Sequence, residues 1–495
     1  VTKPDPKDPS NLSLQYELQS PWWNKINDVL GGTERMRGVG AQHLPQHPEE
    51  SDNAWANRLA VNTLFNQTEL TLAAWVGRPF SEPVKRVDIH SQLEPFLDDI
   101  DLEGNNVSVF ARKWFQGGVA KGLHHVLIDF PVVGEKKDGL PRTLEDDQKE
   151  NLRPYWVDVP AENLISANAV RIQGKWVLTE IRILETIEEK NGFLTTFKER
   201  IRVQTPGHIQ LWELVPKTKR SRKKEWRVID EFDIGLDFIP LVTFYTDEQG
   251  FMLAKPPLLD LVNLNIRHWQ STSDQTAILT VARFPIMAAS GALNEDNIVI
   301  GPGHWLHSPD PSGKFYYVEH EGKAIEAGRM DLADLEEQMA QYGAEFLKRK
   351  PGNLTATART LDSAESTSPL QDMTIRFNDA METALRYTAA WLKLEDAEIG
   401  MLAIITDFGP EKFEKVDLDA LLAAVKSKAI SKKAFVQELI RRGVLGEDFD
   451  PEADMKLIEK EIKKAAKQEP NFNPPGGPQP PQPGEFPPKP PGGEE

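Results

Sequence analysis

Few residues in this chain have the type and spacing to do chemistry. His304 and His307 stand three apart in the turn-rich run GPGHWLH, with Asp310 close behind. A divalent metal would need a third ligand, and partners that fix each imidazole. The Gly/Pro setting supplies neither, so the pair reads as surface histidines. His124 and His125, with Asp129 four residues on, could serve acid–base work. Neighbours on a strand point to opposite faces, however, so the two cannot share a site. They read as one core and one surface histidine. The run DIDLEGNN (99–106) imitates the start of a calcium loop through Asp99, Asp101, Glu103 and Gly104. The twelfth loop position, where a bidentate glutamate belongs, falls on Phe110. The run reads as a polar turn before a helix.

No phosphate-binding GxxxxGK[ST] loop, GxSxG elbow, HExxH helix or strand-following GxGxxG occurs in the chain. The residues themselves therefore point away from catalysis, and no cofactor is expected.

Two basic runs remain. KTKRSRKKEWR (217–227) holds seven cations in eleven residues, among them Lys219, Arg220, Arg222, Lys223 and Lys224. It lies between two strand patterns, so it reads as a hairpin tip. Such a tip can be a phosphate-binding patch or a solvated turn that blocks edge pairing. The second run, Lys348-Arg349-Lys350, ends a helix that opens with Asp331, Asp334, Glu336 and Glu337. Acids at the start and cations at the end complement the helix dipole, and Pro351-Gly352 stops the helix. Capping does not explain the small polar residues that follow, from Asn353 to Ser368, before the next helix. A loop of that length inside a compact unit is usually functional or disordered.

The elements that would position these residues alternate in class. The 495-residue chain is 39% hydrophobic and 27% charged, enough for two to four folded units. It has no cysteine, which excludes disulfides, thiolate metal sites and a cysteine nucleophile. Its first twenty residues hold no apolar leader core, and no run of 18 apolar residues occurs, so neither a secretory signal nor a membrane span is expected. The formal charge of −18 argues against a broad grip on nucleic acid.

Residues 1–10 read as a loose arm. Residues 11–133 read as mainly helical, with one helix capped by Asp52 running through Trp55, Leu59 and Leu72 to Gly77, a second over 105–122, and a buried strand in HHVLIDFPVV. Residues 154–246 alternate as β structure. A helix opened by Pro256-Pro257 runs to 282, and its later part, QSTSDQT, is polar on every face. Residues 284–327 read as β with Gly/Pro turns.

Two helices then repeat a 3-4 spacing. One, from Asp331 to Lys350, places Leu332, Leu335, Met339, Tyr342 and Phe346 in a stripe. The other runs from Leu370 through Phe377 to Trp391. A stripe so narrow suits helix-on-helix packing, and copies of the same chain are the expected partners. Residues 399–408 read as a strand and 417–468 as short helices. The last 26 residues hold 11 prolines and cannot form a core.

This order of parts resembles the portal proteins of tailed phages, within a poorly characterised portal-like family. The resemblance lies in 43–80 (HLPQHPEESDNAWANRLAVNTLFNQTELTLAAWVGRPF), 153–165 (RPYWVDVPAENLI), 255–275 (KPPLLDLVNLNIRHWQSTSDQ), 342–358 (YGAEFLKRKPGNLTATA) and 368–373 (SPLQDM), with 429–461 similar to a portal crown. It spans roughly residues 11–466.

The resemblance implies an α+β portal fold, mainly helical with β-rich wing and clip. Residues 11–250 would be the wing (helical 11–133, β-rich 154–246), 257–282 and 331–350 the two stem helices, and 284–330 the clip. Residues 351–367 would be the tunnel loop, 368–412 the long wing helix and strand, 413–466 the crown, and 467–495 a disordered tail. It also implies a ring of twelve copies at one capsid vertex, in the virion, assembled in the host cytoplasm. The ring would pass double-stranded DNA and meet the terminase large subunit, a head–tail adaptor, and the major capsid and scaffold proteins. Lys348, Arg349, Lys350, Asn353, Thr355, Thr357 and Arg359 would then line the channel. Twelve chains at −18 each would carry −216, a surface that favours passage of DNA over binding. The competing readings are another head–tail connector or scaffold-associated virion protein, and a hydrolase or metal enzyme. Connectors are usually smaller and would lack the stem–clip–stem order.

Overall fold

A computed structural model describes residues 5–131, 152–217, 223–283, 286–290, 311–318, 322–345, 368–394 and 399–406, with scattered residues between 421 and 460. The chain divides into two units, Val1–Phe408 and Gly409–Glu495. The first is mixed α+β, with helices and antiparallel sheets. In the second, the described residues include helical turns within 421–426 and 434–436, the latter capped by Ser431 Oγ accepting from Ala434 N. The loop 351–367 and the tail 467–495 lie outside the described residues.

Helices α1 (Leu14–Leu30), α2 (Gly32–Val39), α3 (Asp52–Val61) and α4 (Gln67–Gly77) open the first unit. The single helix expected from Asp52 to Gly77 is two. Ser51, rather than Asp52, caps α3 by accepting from Ala54 N, and Asn66 caps α4 by accepting from Glu69 N. The break at Asn62 has a distant cause: its side-chain amide donates to Trp269 O. After the short strand β1 (Lys85–Val87), α5 (Val107–Lys121) starts on Asn106, whose Oδ1 accepts from Ser108 N and Val109 N. The preceding DIDLEGNN run is a polar turn, with Asp101 Oδ1 accepting from Glu103 N and Asn105 N and Asp99 Oδ1 from Gly104 N.

Strand β2 (Leu123–Asp129) is the centre of the unit, buried at all seven residues. It pairs antiparallel with β3 (Tyr155–Val159) and β9 (Leu241–Tyr245). One face of this three-stranded sheet, through Val126, Ile128, Trp156, Val242 and Phe244, packs on α5 and on helix α8 (Pro369–Trp391). Rings of Trp114, Phe115, Phe244 and Phe377 meet there at centroid distances of 4.9–5.5 Å. The approach requires glycine. A Cβ at Gly118 would lie 2.3 Å from the Phe244 ring, and one at Gly117 would lie 2.0 Å from the His124 ring.

The other face, through Leu127, Val159 and Leu241, packs on the root of a second sheet. That sheet is a five-stranded antiparallel meander of β4 (Leu164–Ile172), β5 (Lys175–Asn191), β6 (Leu194–Thr205), β7 (His208–Pro216) and β8 (Lys224–Asp233). Between the sheets, Asp129 holds Arg202 of β6 through two hydrogen bonds of 2.5 and 3.0 Å. Small strands β10 (Glu248–Gly250) and β11 (Leu253–Ala254) follow β9.

Helix α8 is broader in its contacts than its 3-4 stripe suggests. Leu370, Met373, Phe377, Ala380 and Ala384 are buried as the spacing predicts, but so are Thr374, Met381, Leu385, Thr388 and Ala389. The second row turns a narrow seam into a wide face. The helix therefore belongs to the main core, with Trp156 Nε1 donating to Thr388 Oγ1 at 2.8 Å. Strand β14 (Met401–Ala403) closes the unit on β1.

Candidate functional site

Between the strand-rich part and α8 the chain makes an excursion with one consistent register. Helix α6 (Leu259–Ala282) runs out and helix α7 (Lys323–Glu345) runs back. Their partners step outward in order. Tyr342 Oη donates to Pro257 O at 2.7 Å, His268 Nε2 meets Glu336 Oε1 at 3.3 Å, and Ser271 Oγ donates to Asp331 Oδ2 at 2.8 Å. Farther out, Gln275 Nε2 donates to Ile325 O at 2.9 Å. Strands β12 (Ile286–Ser290) and β13 (Lys314–Val318) continue the same sequence, pairing Ile286 with Val318 and Ser290 with Lys314. Helix pair and strand pair are thus one antiparallel arm. Helix α7 begins at Lys323, after Gly322, eight residues before the expected Asp331. Gly328 lies inside it because a Cβ there would fall 2.1 Å from Gln275 Oε1.

The arm is fixed at its base and bare toward its end. Along α6, Leu261, Val262, Asn265 and Trp269 are fully buried. Asn265 Oδ1 accepts from Thr68 N and Thr68 Oγ1, and its amide donates to Phe65 O, so one side chain ties α6 to the start of α4. The polar stretch QSTSDQT is used in the same way. Arg58 of α3, itself buried, reaches Ser273 Oγ and Asp274 Oδ1 at 3.2 Å while making two bonds to Glu50 at 2.8 and 2.9 Å. Those bonds from Arg58 hold the Glu50 carboxyl down at about 2. Charge-assisted pairs of this fork geometry are among the stronger polar contacts. Beyond Gln275 no described residue of α6 is buried, and none of α7 is buried before Leu335.

The stripe expected to face another copy is largely taken up within the chain. Leu335 and Met339 are buried in the single molecule, Met339 in the main core with Leu258 and Leu261. Leu332 and Tyr342 are half-buried. The correction has a physical reason: α4 lies against this face, with Trp75 Nε1 donating to Gly343 O at 3.1 Å. Burial, with Asp260 adding to it, pushes the Tyr342 hydroxyl up to about 12. Phe346 lies outside the described residues, as do Lys348, Arg349, Lys350, Asn353, Thr355, Thr357 and Arg359.

The expectation of one core and one surface histidine is also corrected. Both are buried, because β2 is covered on both faces. They do point apart: His124 Nε2 bonds Asp158 at 2.8 Å and His125 Nδ1 bonds Thr243 Oγ1 at 2.9 Å. Burial, helped by the neighbouring His124, lowers the His125 pKa to about 3. Burial opposes the charge of Asp158, but hydrogen bonds from His124 and Lys113 win and hold its carboxyl below the ordinary range. Among the described residues no group of three or more histidines and carboxylates could hold a metal ion, and no helix is long and apolar enough to cross a membrane. His304, His307 and Asp310 lie outside the described residues.

The basic run 217–227 stands where β7 turns into β8. Pro216 pairs with Lys224, and Lys217 N donates to Lys223 O at 2.9 Å. Lys223 and Lys224 are exposed at its root, while Lys219, Arg220 and Arg222 lie outside the described residues. The base of the arm was missed by reasoning from sequence. Arg58 and Asn265 find partners about two hundred positions away, and the only local signal was a helix too polar to be bare.

No curated protein matches the chain. Among solved structures it is similar to a chain in the neck of an empty gene transfer agent (GTA) particle computed with C6 symmetry, at 12% identity and a TM-score of 0.40, covering 76% of this chain and 89% of that one. It is also similar to a chain in the neck of the native particle computed with C12 symmetry, at 11% identity and a TM-score of 0.38, covering 81% and 98%. A chain of the native GTA virion gives 13% identity and a TM-score of 0.36, covering 85% and 98%. A family model described as a domain of unknown function, DUF4055, matches residues 257–392, the stretch that holds the arm and helix α8.

Proposed function

We propose that the chain is one subunit of a portal-type ring at a capsid vertex. It would act without catalysis, as a conduit for double-stranded DNA in packaging and ejection. Its arm would dock the terminase large subunit and then head–tail adaptors, and its outer parts would meet capsid and scaffold proteins. The observation that carries this reading is the arm: two antiparallel helices that continue, partner by partner, into two antiparallel strands. The resemblance implies a helix–strand–helix order of this kind for a stem and clip, and the arm supports that reading.

The energetics of the arm favour the same reading. Its base is anchored by buried amides and Arg58, yet among the described residues the outer part of either helix holds only half-buried and exposed ones. Met330 of α7 is 57% exposed. A bundle of arms from repeated copies would cover such surface, and a head-to-tail contact that closes by rotation makes a ring. Glu326, Asp334 and Glu337 on the bare face of α7 are exposed acids. Beside the net charge of −18 they give a surface that DNA phosphates slide past.

Purified chain, alone and with scaffold protein, tests the reading by mass measurement and electron microscopy. Particles of about twelve chains with a central hole are expected by the resemblance. A monomer at high concentration under both conditions overturns it. Neutralising Lys348, Arg349, Lys350 and Arg359 together is expected to leave rings intact and impair DNA packaging. Wild-type packaging would return that cluster to helix capping alone.

A further inference from the structure

One apolar surface of the first unit has no use within the chain. Strands β5 and β6 extend past the rest of their sheet as a two-stranded ribbon, because β7 pairs with β6 only from Arg200 onward. The ribbon closes in a two-residue turn, Gly192-Phe193, with Gly192 at φ +63°. Glycine at the first turn position is the ordinary hairpin solution, and a polar residue usually follows it. Here Phe193 follows and is fully exposed, with Leu194 63% and Phe197 71% exposed beside it. Leu194 and Phe197 lie on opposite faces of the ribbon with Phe193 at its turn, so the solvated tip is apolar on both sides, as an inserting element would be.

The same unit has a groove of about 670 Å³ where the start of β5, the chain before β9, and strands β10–β11 face α8. Its apolar walls are Trp176, Phe238, Ile239, Phe251, Met252 and Tyr387. Trp176 stands 54% exposed on the rim, its ring tilted against that of Phe251 at 5.2 Å. Tip and groove lie at opposite ends of one strand. Strand β5 is 17 residues long, roughly 55 Å at about 3.3 Å per residue. The tip therefore cannot enter its own groove.

Charge points to the same match. Residues 190–198 carry Lys190 and Lys198 and no acid. The groove carries Glu248 and Asp379, while Arg376 is engaged by Asp372 at 2.9 Å. The two lysines make exposed ion pairs, Lys190 with Glu188 and Lys198 with Glu189. Such pairs are worth little and are readily exchanged.

We propose that the Phe193 tip of one copy seats in the groove of the next. The contact is heterologous, each chain giving one tip and taking one, so repetition closes a ring. It rests on the ring reading for its closure, and it names the surface that drives assembly in place of the α7 stripe.

The absence of cysteine makes a direct test clean. Thr195→Cys places a thiol beside the tip and Thr383→Cys places one in the groove. Full-length chains carrying one substitution each are mixed and oxidised. A disulfide-linked heterodimer is expected, absent when T195C is mixed with E17C, and lost when Phe193→Ser and Phe197→Ser are added to the T195C chain. The chain carrying both thiols is expected to give a ladder of linked multimers. Rings that form with no T195C–T383C link above the control overturn the contact and leave the ring reading standing. Linked chains that never close into rings support the contact and overturn the ring reading.

Discussion

The two larger sheets treat apolar surface in opposite ways. The three-stranded sheet β3-β2-β9 is covered on both faces, by α5 and α8 on one side and by its neighbour sheet on the other. The five-stranded sheet buries Leu164, Ala167, Ile181 and Ile183 at its root and then runs into solvent. Its far end exposes Phe193, Leu194 and Phe197. The inner sheet commits its apolar side chains to the stability of its own chain along its whole length, and the outer sheet does so only near its root. What the outer sheet leaves bare is available for contacts between chains.

The difference can be broken first at Phe377. Its ring touches Trp114, Phe115 and Phe244 across the inner sheet. Phe377→Ala is expected to cost about 3–5 kcal/mol through lost burial and an unfilled cavity. Denaturant unfolding measures it; a loss of under about 1 kcal/mol would mean the inner core is not the stabilising one.

The inner sheet also makes the fold sensitive to acid. His125 is held neutral by burial, with its pKa lowered from 6.5 to about 3. In the unfolded chain it takes up a proton near 6.5, so between those values the unfolded state binds more protons. The contribution is complete above pH 6.5 and is lost as pH falls toward 3, a change of a few kcal/mol. A melting temperature that drops between pH 7 and pH 4 is expected, with a shallower drop in His125→Gln. An unchanged slope in that variant would take His125 out of the acid response.

The inner sheet and its helices were the legible part of the sequence. Leu123–Asp129 is buried throughout because both of its faces are covered, with an apolar centre at Val126-Leu127-Ile128, and α5 has its own cap in Asn106. The stripe on α7 was legible as a stripe, but spacing cannot say whether the facing surface is α4 of the same chain or another copy. The split of α3 from α4 was not legible, since Asn62 breaks the helix to reach Trp269 O. Of the candidate site, the order of helices and β segments in the arm could be read, whereas Arg58 and Asn265 act on partners chosen by the fold. The groove could not be read at all. It joins pieces of β5, residues 238–239, β10–β11 and α8, which share no spacing.

The smallest expected effect is the most telling for the outer sheet. Phe193 touches solvent on every side, so Phe193→Ser removes no burial within one chain. Unfolding free energy is expected to stay within about 0.5 kcal/mol of the parent, as for surface positions generally. Gly192 keeps its place in the turn, so the hairpin itself is preserved. The same phenylalanine-to-small change that is costly at Phe377 is then silent at Phe193 in a dilute monomer. A large loss of monomer stability would mean that the tip folds back onto its own chain, and the division between an inward sheet and an outward one would fail.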